Sequence, residues 1–193
     1  MPGLRERNIA AAKALIQESA LQLFTAQGYE QTSVEQIAEA AEVSPSTFFR
    51  YFKTKEAVVL YDSIDPIIIQ AFRKQSSDVP PIQAMRNATK ELGNLLSDER
   101  QQLEIQRFAL LNTLPALRSR AFGDMIASAD HFAITIAQRS GKNPDDIAVR
   151  NLAGAIIGVV ATVLLQTYKN PSMAIFESEM DTALARLEKG LTL

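Results

Sequence analysis

Apolar residues recur along this chain at spacings of three and four, the period of amphipathic helices. The alternating Val, Ile, Thr and Tyr runs of half-buried strands, bounded by Asn-Gly or Asp-Gly turns, are nearly absent. In 6–27, Ile9, Ile16, Ala20, Leu23 and Phe24 fall on one face, and Gly28 stands where a left-handed C-cap is expected. The next segment, TSVEQIAEAAE, opens with a capping box, either Thr32 with Glu35 or Ser33 with Gln36. Val34, Ile37, Ala38 and Ala41 then follow at i, i+3, i+4 and i+7, predicting a short amphipathic helix. After a turn at 41–43, Ser44 suits an N-cap and Pro45 the first helical position, so a short helix runs from Pro45 to Phe52. Thr54 caps a further helix over 54–75, with a kink or restart at Asp65-Pro66.

SSDVPP at 76–81 breaks the pattern. Beyond it, helices are expected over 81–96, 98–113, 116–139, 144–169 and 172–189, punctuated by Pro115, Gly141, Pro144 and Pro171. The fold class is therefore all-α. A three-helix head over 1–53 is followed by a larger helical body over 54–193, and the helix over 54–75 connects the two. No internal repeat or low-complexity stretch interrupts this organisation.

Composition narrows the function. The chain has 193 residues, 47% hydrophobic, enough for a full core. It has no Cys, which excludes disulfides, zinc-thiolate sites and cysteine nucleophiles and suits a reducing cytoplasm. MPGLRERNIAAAK lacks the apolar core of a secretory signal. The longest apolar run, LAGAIIGVVATVLL over 152–165, is too short to span a bilayer and reads as a buried helix, so no membrane role is expected. A single His and no Cys remove most nucleophile and metal constellations, and no glycine falls in a G-x-G-x-x-G or P-loop. Asp145 and Asp146 read as helix N-terminal charges rather than a catalytic pair. Neither an enzyme nor a metal or cofactor site is expected. Net charge is −2, so any nucleic-acid binding must come from a local patch.

That patch is VSPSTFFRYFKTKEAV, residues 43–58. Two short helices joined by a tight turn, the second carrying polar and basic residues, form a helix-turn-helix. Phe48 and Phe52, four residues apart, should face the core with Val34, Ile37 and Val43. Ser46, Thr47, Arg50 and Tyr51 lie opposite. Short hydroxyls can reach base edges, and Arg50 can pair with a guanine or grip a phosphate. The helix starts after Thr32 and Ser33 and after Thr54 offer N–H groups to phosphate, with Lys55 adding charge. Within 44–55 the charged residues, Arg50, Lys53 and Lys55, are all positive, although residues 1–60 hold six cations against seven acids.

The order of these residues, LFTAQGYEQTSVEQIAEAAEVS followed by STFFRYFKTKEAVVL, resembles the TetR/AcrR family of bacterial transcriptional regulators. The resemblance runs from about Ile9 to Leu60. It implies that 45–52 is the recognition helix. It also implies that Ser46, Thr47, Arg50 and Tyr51 face double-stranded operator DNA, with Ser44 and Pro45 at the helix start, and that Thr32 and Lys55 touch phosphate. Three positions depart from the pattern. Glu42 stands where the family often has Gly at the turn, so a left-handed conformation there would cost about 1 kcal/mol. Ser46 replaces a frequent Gly, and Phe49 a frequent Tyr, which removes one phenolic phosphate contact. From pattern alone, 43–58 also reads as a structural hairpin with a solvated charged face.

The resemblance fades after Leu60, but it implies that the last two long helices pair with those of a second subunit. Gly154 and Gly158 form a G-x-x-x-G that permits close backbone approach. Phe176, Met180, Ala183, Leu184 and Leu187 form a stripe that suits either a homodimer interface or an internal core. Met85, Phe108, Leu111, Phe122, Met125, Phe132 and Ile136 lie in the helices over 81–139, where the family holds an apolar effector pocket; as sequence they are ordinary core. KEAVVLYDSIDP and VPPIQAM also resemble regulators of the mycofactocin system, which implies an acyl-CoA-like or lipid-like effector. His131 reads as a structural or surface residue rather than a ligand contact. Together these features predict a homodimeric, cytoplasmic repressor released from a palindromic operator by a small apolar effector. The reading from another class is a small-molecule carrier whose head has lost DNA binding.

Overall fold

The computed structural model describes residues 3–167 and 172–191. Among these residues the chain is helical and holds no strand. The head comprises α1 (Leu4–Gln27), α2 (Val34–Ala40), α3 (Pro45–Tyr51) and α4 (Lys55–Leu60). The body comprises α5 (Asp65–Lys74), α6 (Pro81–Lys90), α7 (Leu92–Leu95), α8 (Asp98–Thr113), α9 (Pro115–Ser140), α10 (Ile147–Thr167) and α11 (Met173–Glu188).

Caps set the head's boundaries. α1 stops at Gly28, whose φ of 92° suits only a residue without Cβ, and whose N–H donates to the Phe24 carbonyl at 3.0 Å. The capping box on α2 is the Ser33–Gln36 pair. The Gln36 N–H donates to Ser33 Oγ at 3.2 Å and the Ser33 N–H to Gln36 Oε1 at 2.9 Å. α2 ends in a Schellman turn: Val43 N–H donates to the Ala38 carbonyl and Glu42 N–H to that of Glu39. Glu42 supplies the left-handed residue at φ 52°, where glycine would sit without strain. Ser44 and Thr54 accept from Thr47 N–H at 3.1 Å and Ala57 N–H at 3.2 Å to start α3 and α4.

Three expected helices differ. The helix over 54–75 is two helices: it restarts at Asp65, as Asp65-Pro66 suggested, but the chain is already unwound over 61–64. The buried Gln17 of α1 donates to the carbonyls of Val58 at 2.9 Å and Tyr61 at 2.8 Å. Asp62 Oδ1 accepts from the N–H groups of Ile64 and Asp65 at 2.8 and 3.0 Å. Backbone groups that a continuous helix would pair are thus satisfied from outside it. The helix over 81–96 is likewise divided into α6 and α7, and Gly93 N–H of α7 donates to Glu177 Oε1 at 2.6 Å. The helix expected from 144 begins at Ile147, because Asn143 folds a turn by accepting from Asp145 N–H and Asp146 accepts from Ala148 N–H, both through side chains. The last residues of that expected helix, 168 and 169, and Pro171 lie outside the described residues.

Two cores result. In the head, Ile16, Ala20, Phe24, Ile37, Phe48 and Phe52 are buried together, and Leu103, Leu111 and Leu117 from α8 and α9 enter the same cluster. In the body, Phe72, Phe132, Ile136, Ile156, Met180 and Leu184 close a second cluster from α5, α9, α10 and α11. Arg139 gathers the α5–α6 loop by donating to the carbonyls of Gln75, Ser76 and Val79. α10 corrects another expectation. Its apolar run reads in sequence as a buried helix, yet only 22% of its most apolar window is buried, on Val149, Ala153, Ile156 and Val163.

Candidate nucleic-acid face and cavity

α3 presents Ser46 and Arg50 fully to solvent, with Thr47 and Tyr51 half-buried beside them. The face exists because Phe48, on the other side, is completely buried and fixes the helix's rotation. Ser44 Oγ lies 2.8 Å from Ser46 Oγ and 3.0 Å from Thr47 Oγ1, so three hydroxyls are tied together at the helix start beside Pro45. The Arg50 guanidinium rests 5.0 Å over the Tyr51 ring, which holds the cation extended from the surface. Arg5 and Lys13 of α1 line the same shallow groove as Arg50 and Tyr51. That addition of α1 cations is visible only once the helices are packed.

Two expected phosphate contacts are placed differently. Thr32 is buried, at 2% exposure; its hydroxyl donates to the Gly28 carbonyl at 2.8 Å and accepts from Gln27 at 3.2 Å. It closes the α1–α2 turn, and Ser33, exposed at the N-cap, stands at the surface instead. Lys55 Nζ donates to the carbonyls of Tyr29 at 2.9 Å and Thr32 at 3.4 Å, and sits 4.3 Å over the Tyr29 ring. It braces the same turn against α4, with one of its three N–H donors left beyond these two bonds.

The body holds a cavity of about 450 Å³ between α5, α6, α8, α9, α10 and α11. Met85, Phe108, Leu111, Phe122, Met125 and Phe132, picked out in sequence, all line it. Phe176 and Met180 line it too, which changes their role. Phe176, Met180 and Leu184, expected at an interface with a second subunit, belong to the chain's own core, Met180 and Leu184 at 0% exposure. α11 is held inward because Arg86 of α6 bonds Asp181 at 2.8 Å and Glu188 at 3.0 Å. Gly154 and Gly158, by contrast, are exposed, and a Cβ at either would meet nothing. His131, expected as a surface or structural residue, is exposed at the cavity wall.

One end of the cavity is polar, and sequence reasoning missed it. Asp62, Asp65 and Arg107 line this end. Arg107 is 2% exposed and donates through Nε to Glu104 Oε2 at 2.7 Å; Glu104 is fully buried. Arg100 Nη2 bonds Glu104 Oε1 and Gln17 Oε1, each at 3.0 Å, and also contacts Ser63 Oγ. A continuous set of hydrogen bonds therefore runs from the cavity wall to Gln17 in α1. Asp65 keeps accessible surface and is desolvated in part by burial against the cavity wall. That burial, with the negative charge of Asp62, pushes it up to about 6 against the pull of Arg107. The sequence did carry a signal for this cluster. Arg107 interrupts the apolar stripe Leu103–Arg107–Leu111 at four-residue steps, and Gln17 falls beside Ala20, Leu21 and Phe24.

Residues 16–61 match the family described as bacterial regulatory proteins, tetR family, and residues 79–192 match the MftR C-terminal domain. The HTH-type transcriptional regulator TcmR of Streptomyces glaucescens is 33% identical over 94% of this chain and 86% of its own length. RutR of Escherichia coli, also an HTH-type transcriptional regulator, is 32% identical over 72% of this chain and 68% of its own. Among solved structures, Thermus thermophilus FadR, a TetR-family repressor in complex with lauroyl-CoA, shares the fold. Its TM-score is 0.57 at 21% identity, covering 94% of this chain and 95% of that one. With a helix-turn-helix whose recognition face is polar and basic, and a helical body matched along most of its length, the chain belongs to the TetR family of bacterial transcriptional regulators.

Proposed function

We propose that this regulator is a homodimeric repressor that sits on a near-palindromic operator and leaves it when a small apolar, acyl-CoA-like effector fills the body. The observation that carries the reading is the cavity of about 450 Å³, whose wall reaches the 61–64 joint tied to α1 through Gln17. Its size suits a ligand site, typically about 300–1,000 Å³, and its lining is mostly apolar. The lauroyl-CoA in the Thermus FadR complex and the match to the MftR C-terminal domain support an acyl ligand. On this reading Ser44, Pro45, Ser46, Thr47, Arg50 and Tyr51 face the operator, and Ser33 and Lys55 lie towards phosphate. The protein then works in the cytoplasm with its DNA.

A second subunit supplies the two-fold symmetry that a pair of half-sites requires, spaced by about one helical turn or a small multiple. The exposed α10 face of Gly154, Gly158, Thr162 and Leu165 supports that partner. Gly158→Arg should then sediment as a monomer and lose operator binding; an unchanged dimer would move the interface elsewhere.

The effector need only prefer the DNA-incompetent arrangement. A tenfold preference is about 1.4 kcal/mol, inside the usual coupling range of about 1–3 kcal/mol. Linkage makes the effect reciprocal, so operator DNA must weaken effector binding by the same factor. Calorimetric titration of lauroyl-CoA with and without the protein's own upstream DNA tests this. Equal affinities in the two titrations would remove lauroyl-CoA as inducer. Failure to shift that DNA at all would remove the repressor reading.

A further inference from the structure

Among the described residues, Arg107 is the charged group of the cavity wall that is closed off from solvent, at 2% exposure. A guanidinium carries five N–H donors. Nε donates to Glu104 at 2.7 Å, Nη1 to the Val59 carbonyl at 3.4 Å, and Nη2 to Asp62 at 3.4 Å. One hydrogen on each Nη remains without a partner among the described residues, and the two bonds made from the Nη atoms are long. Phe108, which also lines the cavity, holds the guanidinium 4.8 Å over its ring. Buried donors left unmade are costly, so this end of a mostly apolar space calls for an acceptor oxygen on whatever fills it.

Local charge decides which kind. Three carboxylates, Asp62, Asp65 and Glu104, stand with two guanidinium groups, Arg107 and Arg100, at this end. With all ionised their sum is −1. Elsewhere in the wall Arg118 offsets Asp124, with the exposed His131 on the same helix, while α6, α10 and α11 line the cavity only with uncharged residues. An incoming carboxylate would find Arg107 already matched by Glu104 and would meet Asp62 and Asp65 at close quarters.

We infer that Arg107 receives a neutral carbonyl-type oxygen, such as that of a thioester, ester or ketone, and that the cavity selects against the free carboxylate on the same apolar chain. This rests on the effector reading above and names the ligand's polar group. An oxygen on the spare Nη2 hydrogen sits next to Asp62, whose other carboxylate oxygen holds the N–H groups of Ile64 and Asp65 at the joint. Ligand recognition and release of the head would thus use one side chain.

The full chain should be titrated calorimetrically at neutral pH with S-lauroyl-N-acetylcysteamine, an uncharged thioester, and with laurate. The thioester should bind at least about tenfold tighter, since like charges set close together oppose binding strongly. Asp62→Asn keeps an oxygen for the Ile64 and Asp65 N–H groups but removes one negative charge, and should narrow that ratio. Arg107→Gln should weaken the thioester; because it leaves Glu104 buried with one partner fewer, Asp62→Asn is the variant that decides. Laurate binding as tightly as the thioester, or a ratio unchanged in Asp62→Asn, overturns the inference while leaving the effector reading intact. Binding of neither probe overturns both.

Discussion

The head and the body are built from the same material, amphipathic helices, but they bury it to different ends. In the head the main apolar faces close on one another: Phe48 is completely buried, and its neighbours Ile37, Phe24 and Phe52 come from helices capped at nearly every end. The body leaves two apolar surfaces unfilled, the cavity between α5, α6, α8, α9, α10 and α11 and the uncovered side of α10. A pattern of hydrophobic positions specifies contact area, not what supplies it. In the head the chain supplies its own. In the body the same pattern leaves room for a ligand and a second copy.

The contrast predicts unequal responses to the same truncation. Phe48→Ala should destabilise the protein by about 3–5 kcal/mol, because it opens a void in a packed core. Phe122→Ala, which only enlarges a space that already exists, should cost about 1 kcal/mol and change ligand binding instead. Urea unfolding of both variants measures the gap, and equal losses would mean that the cavity is closed in solution.

Within the head, the proposed operator reading gives Arg50 and Lys55 different roles, base recognition and support of the turn beside phosphate. Arg50→Ala should cost about 1–3 kcal/mol of operator affinity and relax preference at one base position, with no change in stability. Lys55→Ala should weaken all sequences alike and lower the salt slope by about one. Because Lys55 also holds the Tyr29 and Thr32 carbonyls, it should in addition lower the melting temperature. Binding isotherms at several salt concentrations, together with melting curves, distinguish the two. A Lys55→Ala head of unchanged stability would break the assignment.

The same contrast governs what the sequence made legible. Head boundaries were readable because caps are local: Ser33, Ser44, Thr54 and Gly28 act within a few residues of themselves. The cavity residues were readable as apolar positions but not as a cavity, since packing alone decides whether Phe122 meets a neighbour or a space. Met180 and Leu184 fit the same stripe whether it faced α6 and α10 or another subunit, and contacts distant in sequence turn it inward, the Arg86–Asp181 bridge between α6 and α11, 95 residues apart, among them. The restart at Asp65-Pro66 was readable, but the length of the break before it, 61–64, was hidden for a similar reason. It depends on Gln17, more than 40 residues away, and on Asp62, whose side chain replaces helical bonds. Gln17 and Arg107 each stood out as a polar residue on an apolar stripe, and that is the mark by which the relay was open to discovery.

A smaller test sits at the head's one strained turn. Glu42 adopts φ 52° in the Schellman turn that joins α2 to α3. Glu42→Gly removes the clash of Cβ with the carbonyl, so it should stabilise the head by about 1 kcal/mol, less the entropy a glycine adds to the unfolded chain. A lower melting temperature for this variant would mean that the exposed Glu42 side chain contributes more than its backbone costs.

The smallest effect expected is a pH dependence confined to the body's polar wall. Asp65 has its folded-state pKa raised to about 6, through burial and the charge of Asp62, with Arg107 opposing. The folded state therefore holds this proton more tightly than the unfolded chain, whose Asp titrates near about 3.9. Its stabilising contribution is fully present below the unfolded value and is lost as pH rises through about 6. Asp65→Asn cannot titrate, so the melting temperature of the wild type minus that of the variant should fall between about pH 4 and pH 7 and stay level above. The amplitude should be small, because Asp65 keeps accessible surface and water screens it. A flat difference across the range would make Asp65 an ordinary surface acid. The enclosed polar end that sets the body's cavity apart from the head's closed core would then be open to solvent.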